Sequence, residues 1–471
     1  MNILNYISMM RFEVLSIGVI IFLLLVKIFS EKINVSVILG FANFSLLAIL
    51  VSSFVGHPHG SIFGGMFLND GTLMLEKSIL TFATLLISIQ ANTWLKKQQN
   101  YLEFYLLLFS VLTGIYYLIS SGNFLMFYLG LEMATIPLAA LATFDFRRIR
   151  SAEGAGKMIL SSAFSSAILL FGLSLLYGTT GSLDFNNVRD AFTASPLEMF
   201  ALAFIFVGFA FKISAVPFHL WTADTYEGSP IAVTAFLSVV SKGASIFILM
   251  TILYKVFGGS YEKWKHILVL LSAITMTVGN LFAIRQKNIK RFLAFSSITQ
   301  AGYILIGVAG ANSHSMASVI YFILIYIFSN VGAFTAVSVI SEYSGKEDIG
   351  DYKGLYKTNP VFSIGILIYL FSLAGIPPTA GFFGKLFLLT SGASAGMIAL
   401  IIIASLNMIV SLYYYLRIVK AMFVDKNENP IENFERDAHS KFVLVFSVVC
   451  IFFMGFINYI FDYIHSLSFG L

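Results

Sequence analysis

Phe211-Lys212-Ile213-Ser214-Ala215-Val216-Pro217-Phe218-His219 puts a lysine, and five residues later a proline, inside an apolar stretch long enough to cross a bilayer. Proline has no N–H to donate, so the helix that enters this stretch must break there. A second stretch, Ala374-Gly375-Ile376-Pro377-Pro378-Thr379-Ala380-Gly381, interrupts a later apolar run in the same way, and Lys385 follows it. An ionisable side chain near a bilayer centre costs at least roughly 2.5 kcal/mol, and such groups usually mark ion or proton pathways.

Apolar runs of about 20 residues recur along the whole chain. They predict fourteen spans, near 13–29, 33–55, 73–94, 102–120, 123–144, 152–178, 197–222, 229–256, 265–286, 291–311, 315–340, 361–391, 394–422 and 441–464. The expected fold is therefore an all-α polytopic membrane protein with two broken helices. With 58% hydrophobic and 11% charged residues, against roughly 25% charged in soluble domains, no soluble reading competes. The first run is long for a signal peptide and lacks a small-residue cleavage site, so it is expected to remain as the first span.

The two breaks lie five spans apart, an odd offset that reverses direction in the membrane. That suggests two inverted five-helix repeats whose broken helices line an ion site, as in secondary transporters. The implied organisation is an N-terminal three-helix region at 1–101, a first repeat at 102–256, a second at 257–422, and a C-terminal loop and last helix at 423–471. The halves are not alike in charge, because aligning Pro217 with Pro377 sets Lys212 opposite Ser372. Lys27, Lys32, Lys96, Lys97, Arg147, Arg148, Arg150, Arg285, Lys287, Lys290, Arg291, Lys346, Lys353, Lys357, Lys420, Lys426, Arg436 and Lys441 fall on one side of the predicted membrane. Arg11, Arg189, Lys255, Lys263 and Lys265 fall on the other. By the positive-inside rule both termini face outward.

Composition also removes chemistries. One cysteine, Cys450, leaves no disulfide framework, CxxC pair, cysteine-bound cluster or zinc site within the chain. Among seven histidines only His57 and His59 are close together, in a Gly-rich loop that reads as solvated more readily than as a metal site. No basic run is interleaved with aromatics, so nucleic acid is not an expected partner. Lipid and protons are.

Glu132 lies mid-span, five residues before Pro137, where a carboxylate needs a positive partner or a proton. Lys212 lies beside a break whose freed carbonyls could solvate an ammonium. Lys242 is flanked by Ser238, Ser241 and Gly243, hydroxyls and thin backbone that suit a hydrated path. His219 follows Lys212 by seven positions across the break, which leaves proton relay and satisfied packing both open. Lys157 sits one turn after Glu153, so a local i,i+4 ion pair competes with a transport role. Glu76 and Lys77 read as interfacial, and Asp224 and Glu227 as proton collection or a subunit contact.

These features together resemble the antiporter-like subunits of respiratory complex I and the related multisubunit cation/proton antiporters. The strings Tyr128-Leu129-Gly130-Leu131-Glu132, Ser151-Ala152-Glu153-Gly154-Ala155-Gly156-Lys157, Phe211 through Trp221, Tyr226-Glu227-Gly228-Ser229-Pro230 and Gly375-Ile376-Pro377-Pro378-Thr379-Ala380-Gly381-Phe382 look like the subunit N family of bacterial NADH:quinone oxidoreductase, counterpart of mitochondrial subunit 2. The resemblance implies a proton-translocating membrane-arm subunit in the inner (plasma) membrane. It has no cofactor of its own, with NADH, FMN, iron–sulfur clusters and quinone in partner subunits. It implies a relay of Glu132, Lys212, Lys242 and Lys385, with Lys157 and His219 as further members. It pairs Glu132 with Lys212 and places the last lysine of the relay at Lys385. Span 10, with Ser296, Ser297, Thr299 and Gln300, has no acid where its counterpart has Glu132, so Lys385 is expected to be the terminal station, stabilised by water and by a neighbouring subunit. Two other readings compete: a subunit of a sodium/proton antiporter, and a structural spacer that conducts nothing.

Overall fold

The computed structural model describes residues 3–29, 34–56, 58–145, 148–435, 437–457 and 459–467, with side chains from residue 5 onward. Lys32, His57, Arg147 and Arg436, named above, lie outside these residues. Thirteen described helices are long and apolar enough to cross a membrane. The twelfth predicted span, 361–391, is present as two shorter helices around the second proline break.

In chain order the helices are α1 (Arg11–Phe29), α2 (Val35–Ser52), α3 (Gly71–Leu95), α4 (Tyr101–Ile119), α5 (Phe124–Ala142), α6 (Ile149–Thr180) and α7 (Pro196–Ile213). After the first break come α8 (Leu220–Gly228) and α9 (Ile231–Lys255), then α10 (Tyr261–Arg285), α11 (Ile289–Gly310), α12 (Ser313–Ser344) and α13 (Pro360–Ala374). Beyond the second break lie α14 (Ala380–Ser394), α15 (Ile398–Phe423) and α16 (Ala438–Phe456). A small antiparallel hairpin, Gly60–Ile62 with Phe67–Asn69, occupies the loop before α3. Helices satisfy every interior backbone group within the segment, which is why apolar runs of this length fold as helices in lipid. Phe29, Phe44, Phe164, Leu160, Ile402 and Leu406 stay exposed on their surfaces, as side chains facing acyl chains do.

The chain packs as two units. The first comprises residues 1–212, 228–236 and 240–260; the second comprises 213–227, 237–239 and 261–471. Each contains a comparably intimate pair of consecutive helices. In the first unit α4 and α5 approach so closely that a Cβ on Gly114 would meet the Ala134 nitrogen at 2.4 Å. In the second, α10 and α11 do the same, and a Cβ on Gly279 would meet the Thr299 nitrogen at 3.0 Å. The same contact therefore occurs once in each unit, and it supplies a structural register between the two halves that the sequence alone lacked.

Both breaks are where the prolines place them. α7 stops at Ile213, Ser214 takes a left-handed φ of 61°, and helix resumes at Leu220. α13 stops at Ala374, Gly375 takes φ 84°, and helix resumes at Ala380. The peptide bonds before Pro217 and Pro378 are cis. α9 contains a π-helical turn at Leu237–Ser241, immediately before Lys242.

Candidate functional site

The second break shows its chemistry most fully. Gly375 N–H bonds back to Ser372 O at 3.1 Å and Ile376 N–H to Phe371 O at 3.0 Å. This is the Schellman arrangement that ends many helices at a left-handed glycine. It satisfies two of the last carbonyls and leaves those of Leu373 and Ala374 without a helical donor. Lys385, on α14 and 1% exposed, donates its ammonium to both, at 2.8 Å and 3.1 Å. Its charge also lies 4.7 Å from the centre of the Tyr303 ring. A cation thus sits at the negative end of a half-helix dipole, in contact with free carbonyls and an aromatic face. The chain's own backbone thus supplies ligands that the sequence expectation of water and a neighbouring subunit did not include.

Leu373 O is also the acceptor for Gln300 Nε2 at 2.9 Å. Gln300 reaches Tyr415 Oη at 3.4 Å, and Tyr415 pairs with Ser296 at 2.5 Å. On the next residue, Ser297 Oγ accepts from Ser238 at 3.2 Å, and Ser238 pairs with Tyr326 Oη at 3.0 Å. A file of buried hydroxyls and one amide therefore lies along α11 in two hydrogen-bonded groups, and Gln300 shares the Leu373 carbonyl with Lys385. Ser296, Ser297 and Gln300 were legible as a polar stripe; Tyr326 and Tyr415 were not, because an aromatic in a membrane helix carries no sign of where its hydroxyl points.

In the first unit the equivalent place carries charge. Lys212, in the last turn of α7, donates to Thr135 Oγ1, and Thr135 donates onward to Leu131 O at 2.5 Å. Glu132, three residues earlier on α5, accepts from Ser166 Oγ at 2.6 Å. Among the described residues Glu132 and Lys212 make no direct ion pair; each is held by a hydroxyl on or beside α5. Matching the Gly114–Ala134 contact to Gly279–Thr299 sets Thr135 against Gln300 and Glu132 against Ser297. Matching the ends of α7 and α13 sets Lys212 against Leu373. The contact between lysine and hydroxyl in one half is thus replaced by an amide-to-carbonyl contact in the other, and Lys385 joins it from α14.

The remaining expected residues separate. Lys242 is 4% exposed and opens the regular helix after the π-turn of α9, a local widening frequent at functional sites. His219 is 6% exposed and packs edge-on to Phe282, ring centres 6.3 Å apart. Lys157 pairs with Glu153 at 2.7 Å on an exposed helix face, the local ion pair that its spacing allowed. Asp224 and Glu227, both on α8, bind the Arg291 guanidinium of α11, at 2.6 Å and 2.8 Å. In the loop after α12, burial opposes ionisation of Glu347, but Lys290 at 3.1 Å, Asn288 and Ser341 outweigh it and hold its carboxyl below the ordinary range.

Residues 121–411 match the family of NADH:quinone oxidoreductase/Mrp antiporter membrane subunits. NADH-quinone oxidoreductase subunit N of Phocaeicola vulgatus is 49% identical over 402 residues, 84% of this chain and 85% of that protein. The chain belongs to the subunit N family. The same subunit of Azobacteroides pseudotrichonymphae is 46% identical over 92% of this chain and 91% of its own length. A chain of respiratory complex I from Thermus thermophilus superposes with a TM-score of 0.81 at 29% identity, covering 95% of this chain and 96% of that one. A chain of the Mrp complex of a Dietzia species shares the fold, with a TM-score of 0.84 at 21% identity over 99% of this chain and 97% of that one. Glu132, Lys157, Lys212, His219, Lys242 and Lys385 all fall within the stretch that defines the wider family.

Outside that stretch lies a second group of buried charges. Glu76 and Lys77, which read as interfacial, are both 0% exposed. Lys77 Nζ lies 2.5 Å from Glu13 Oε1, and that carboxylate is also fully buried. Glu13 had no place in the sequence reading because it opens the first apolar run, where a charge looks like a flank. The sequence marks a charge near a helix end, whereas packing among α1, α3 and α4 decides that it is enclosed.

Proposed function

We propose that this chain is a proton-translocating membrane-arm subunit of a NADH:quinone oxidoreductase, with both termini on the outer side of the inner membrane. The cofactors of electron transfer, NADH, FMN, iron–sulfur clusters and quinone, belong to partner subunits, and other membrane-arm subunits flank it. The observation that carries the reading is the buried ammonium of Lys385, held by free helix-end carbonyls and approached by a file of hydroxyls. An enclosed lysine whose ligands are neutral can gain and lose a proton without breaking an ion pair, and the hydroxyls beside it can pass one on.

Electron transfer in partner subunits biases the region of Glu132 and Lys212. Drawing the carboxylate away disfavours the charged lysine, and its proton is passed toward Lys242 and finally Lys385. Moving one charge across the membrane costs roughly 2.3 kcal/mol per 100 mV, so several stations of adjustable basicity serve better than one deep site. Lys157, in an exposed pair with Glu153, has a supporting place at the entrance, and His219 a place beside the first break. Replacing Lys212 or Glu132 by alanine is expected to leave the complex assembled while lowering coupled quinone reduction and proton pumping at least tenfold, a loss of about 1.4 kcal/mol or more in the driving step. Normal rates of both in reconstituted vesicles would remove these residues from the path.

A further inference from the structure

Glu13, Glu76 and Lys77 place two carboxyl groups and one ammonium in a region with no solvent exposure. The ammonium is committed to Glu13 at 2.5 Å and lies 4.9 Å from the Phe67 ring and 5.6 Å from the Phe12 ring. Both carboxyl oxygens of Glu76, and Oε2 of Glu13, have no hydrogen-bond partner among the described residues. Other charges face the group from every side. Arg11 comes from α1, Asp70 from the cap of α3 and Lys255 from α9, with the phenols of Tyr116 and Tyr117 from α4. Two of those charges are otherwise engaged. Arg11 holds the carbonyls of Ser52, Val55 and Gly56, and Lys255 pairs with Asp70 at 3.4 Å. One ammonium cannot neutralise two enclosed carboxylates, and an unpaired buried carboxylate takes a proton rather than bear the desolvation cost.

We propose that Glu76 and the Glu13–Lys77 pair form a second proton-binding site, separate from Glu132 and the membrane lysines, at the ends of the first helices. In the arrangement seen, Lys77 is on Glu13, which assigns the proton to the partnerless carboxyl of Glu76. If Lys77 turns to Glu76, the Glu76 O–H bond breaks and an O–H bond forms on Glu13, with no change in net charge. One turn along α1 from Glu13, Ser16 pairs with Thr113 at 2.6 Å. Thr113 borders the apolar cavity of about 950 Å³ that Glu132 also lines. On the Lys77 side, Thr81 accepts or donates at 2.6 Å with Tyr116 Oη. On the orientation proposed above, this end of α1 and α3 faces outward, where protons leave the membrane.

The test is infrared spectroscopy of the assembled complex titrated in H2O and in D2O. A buried protonated-carboxyl band is expected that shifts in D2O, decays as pH is raised and returns on re-acidification. It should vanish in Glu76→Gln and persist in Glu132→Gln. Glu13→Gln frees Lys77 for Glu76, so the same band should vanish there too, which keeps the test usable if Glu76→Gln fails to assemble. No such band in the unmutated complex, or a band unchanged in the variant that assembles, overturns the assignment. The band needs no pumping, so normal pumping by Lys212→Ala would sink the proposed function and leave this site standing.

Discussion

Lys385 is solvated by the main chain, and that sets what its removal should do. Methionine keeps most of the side-chain volume and deletes the ammonium. Leu373 O retains Gln300 as a donor, so only Ala374 O loses its partner, at a cost of roughly 1–3 kcal/mol. Against this, a buried charge no longer has to be desolvated. Lys385→Met should therefore assemble with thermal stability close to the parent, while protons delivered per quinone reduced fall clearly. A variant that pumped at full yield would place Lys385 among structural cations. The contrast with Lys212 is instructive, because its hydroxyl partner Thr135 lies on the helix of Glu132, so that lysine feels any movement of the carboxylate and Lys385 does not.

At the scale of elements, the prolines were sufficient to locate both breaks, since a missing N–H interrupts a helix whatever packs around it. They were not sufficient to identify the ligands of the ammonium, because which carbonyls remain free depends on how the helix is capped. Gly375 supplies the left-handed turn that leaves Leu373 and Ala374 open, and Gly381 supplies room for α14 to restart. A Cβ on Gly381 would lie 1.8 Å from Ser372 O, a backbone atom that cannot swing aside. Gly381→Ala should thus lower the melting temperature of the complex, or prevent its assembly, with a cost of about 1–3 kcal/mol or more. Gly178→Ala on α6 is the matched control. Nothing lies within 4 Å of its added Cβ, and alanine gains roughly 1 kcal/mol of helix propensity over glycine. Equal stability of the two variants would show that the junction is looser than its geometry. The buried trio Glu13, Glu76 and Lys77 was illegible for a different reason: 64 positions separate Glu13 from Lys77, and each sits where a charge normally meets the interface.

Across the whole molecule, the kind of ion follows from what occupies its polar interior. Sodium is bound by a shell of oxygens with negative charge close by, and hard cations of this type compete poorly where a fixed ammonium already holds the oxygens. Here the carbonyls of Leu373 and Ala374 are taken by Lys385, and the Thr135 hydroxyl by Lys212. Lys242 adds a further amine, itself buried. Of the expected relay residues only Glu132 is a carboxylic acid, and Ser166 already donates to it. Cationic stations repel a metal cation but exchange protons by titrating. The succession of apolar spans and the ionisable residues inside them could be read from the sequence, yet the choice between proton and sodium could not, because it depends on which oxygens are free after folding. Proteoliposomes containing the complex should therefore build the same proton gradient on quinone reduction when sodium is replaced throughout by choline. Lys385→Met should not acquire sodium dependence, because deleting one amine frees two neutral carbonyls without supplying a negative charge. A gradient that collapses without sodium, or sodium uptake stoichiometric with quinone reduction, would overturn the proton assignment in favour of the antiporter reading.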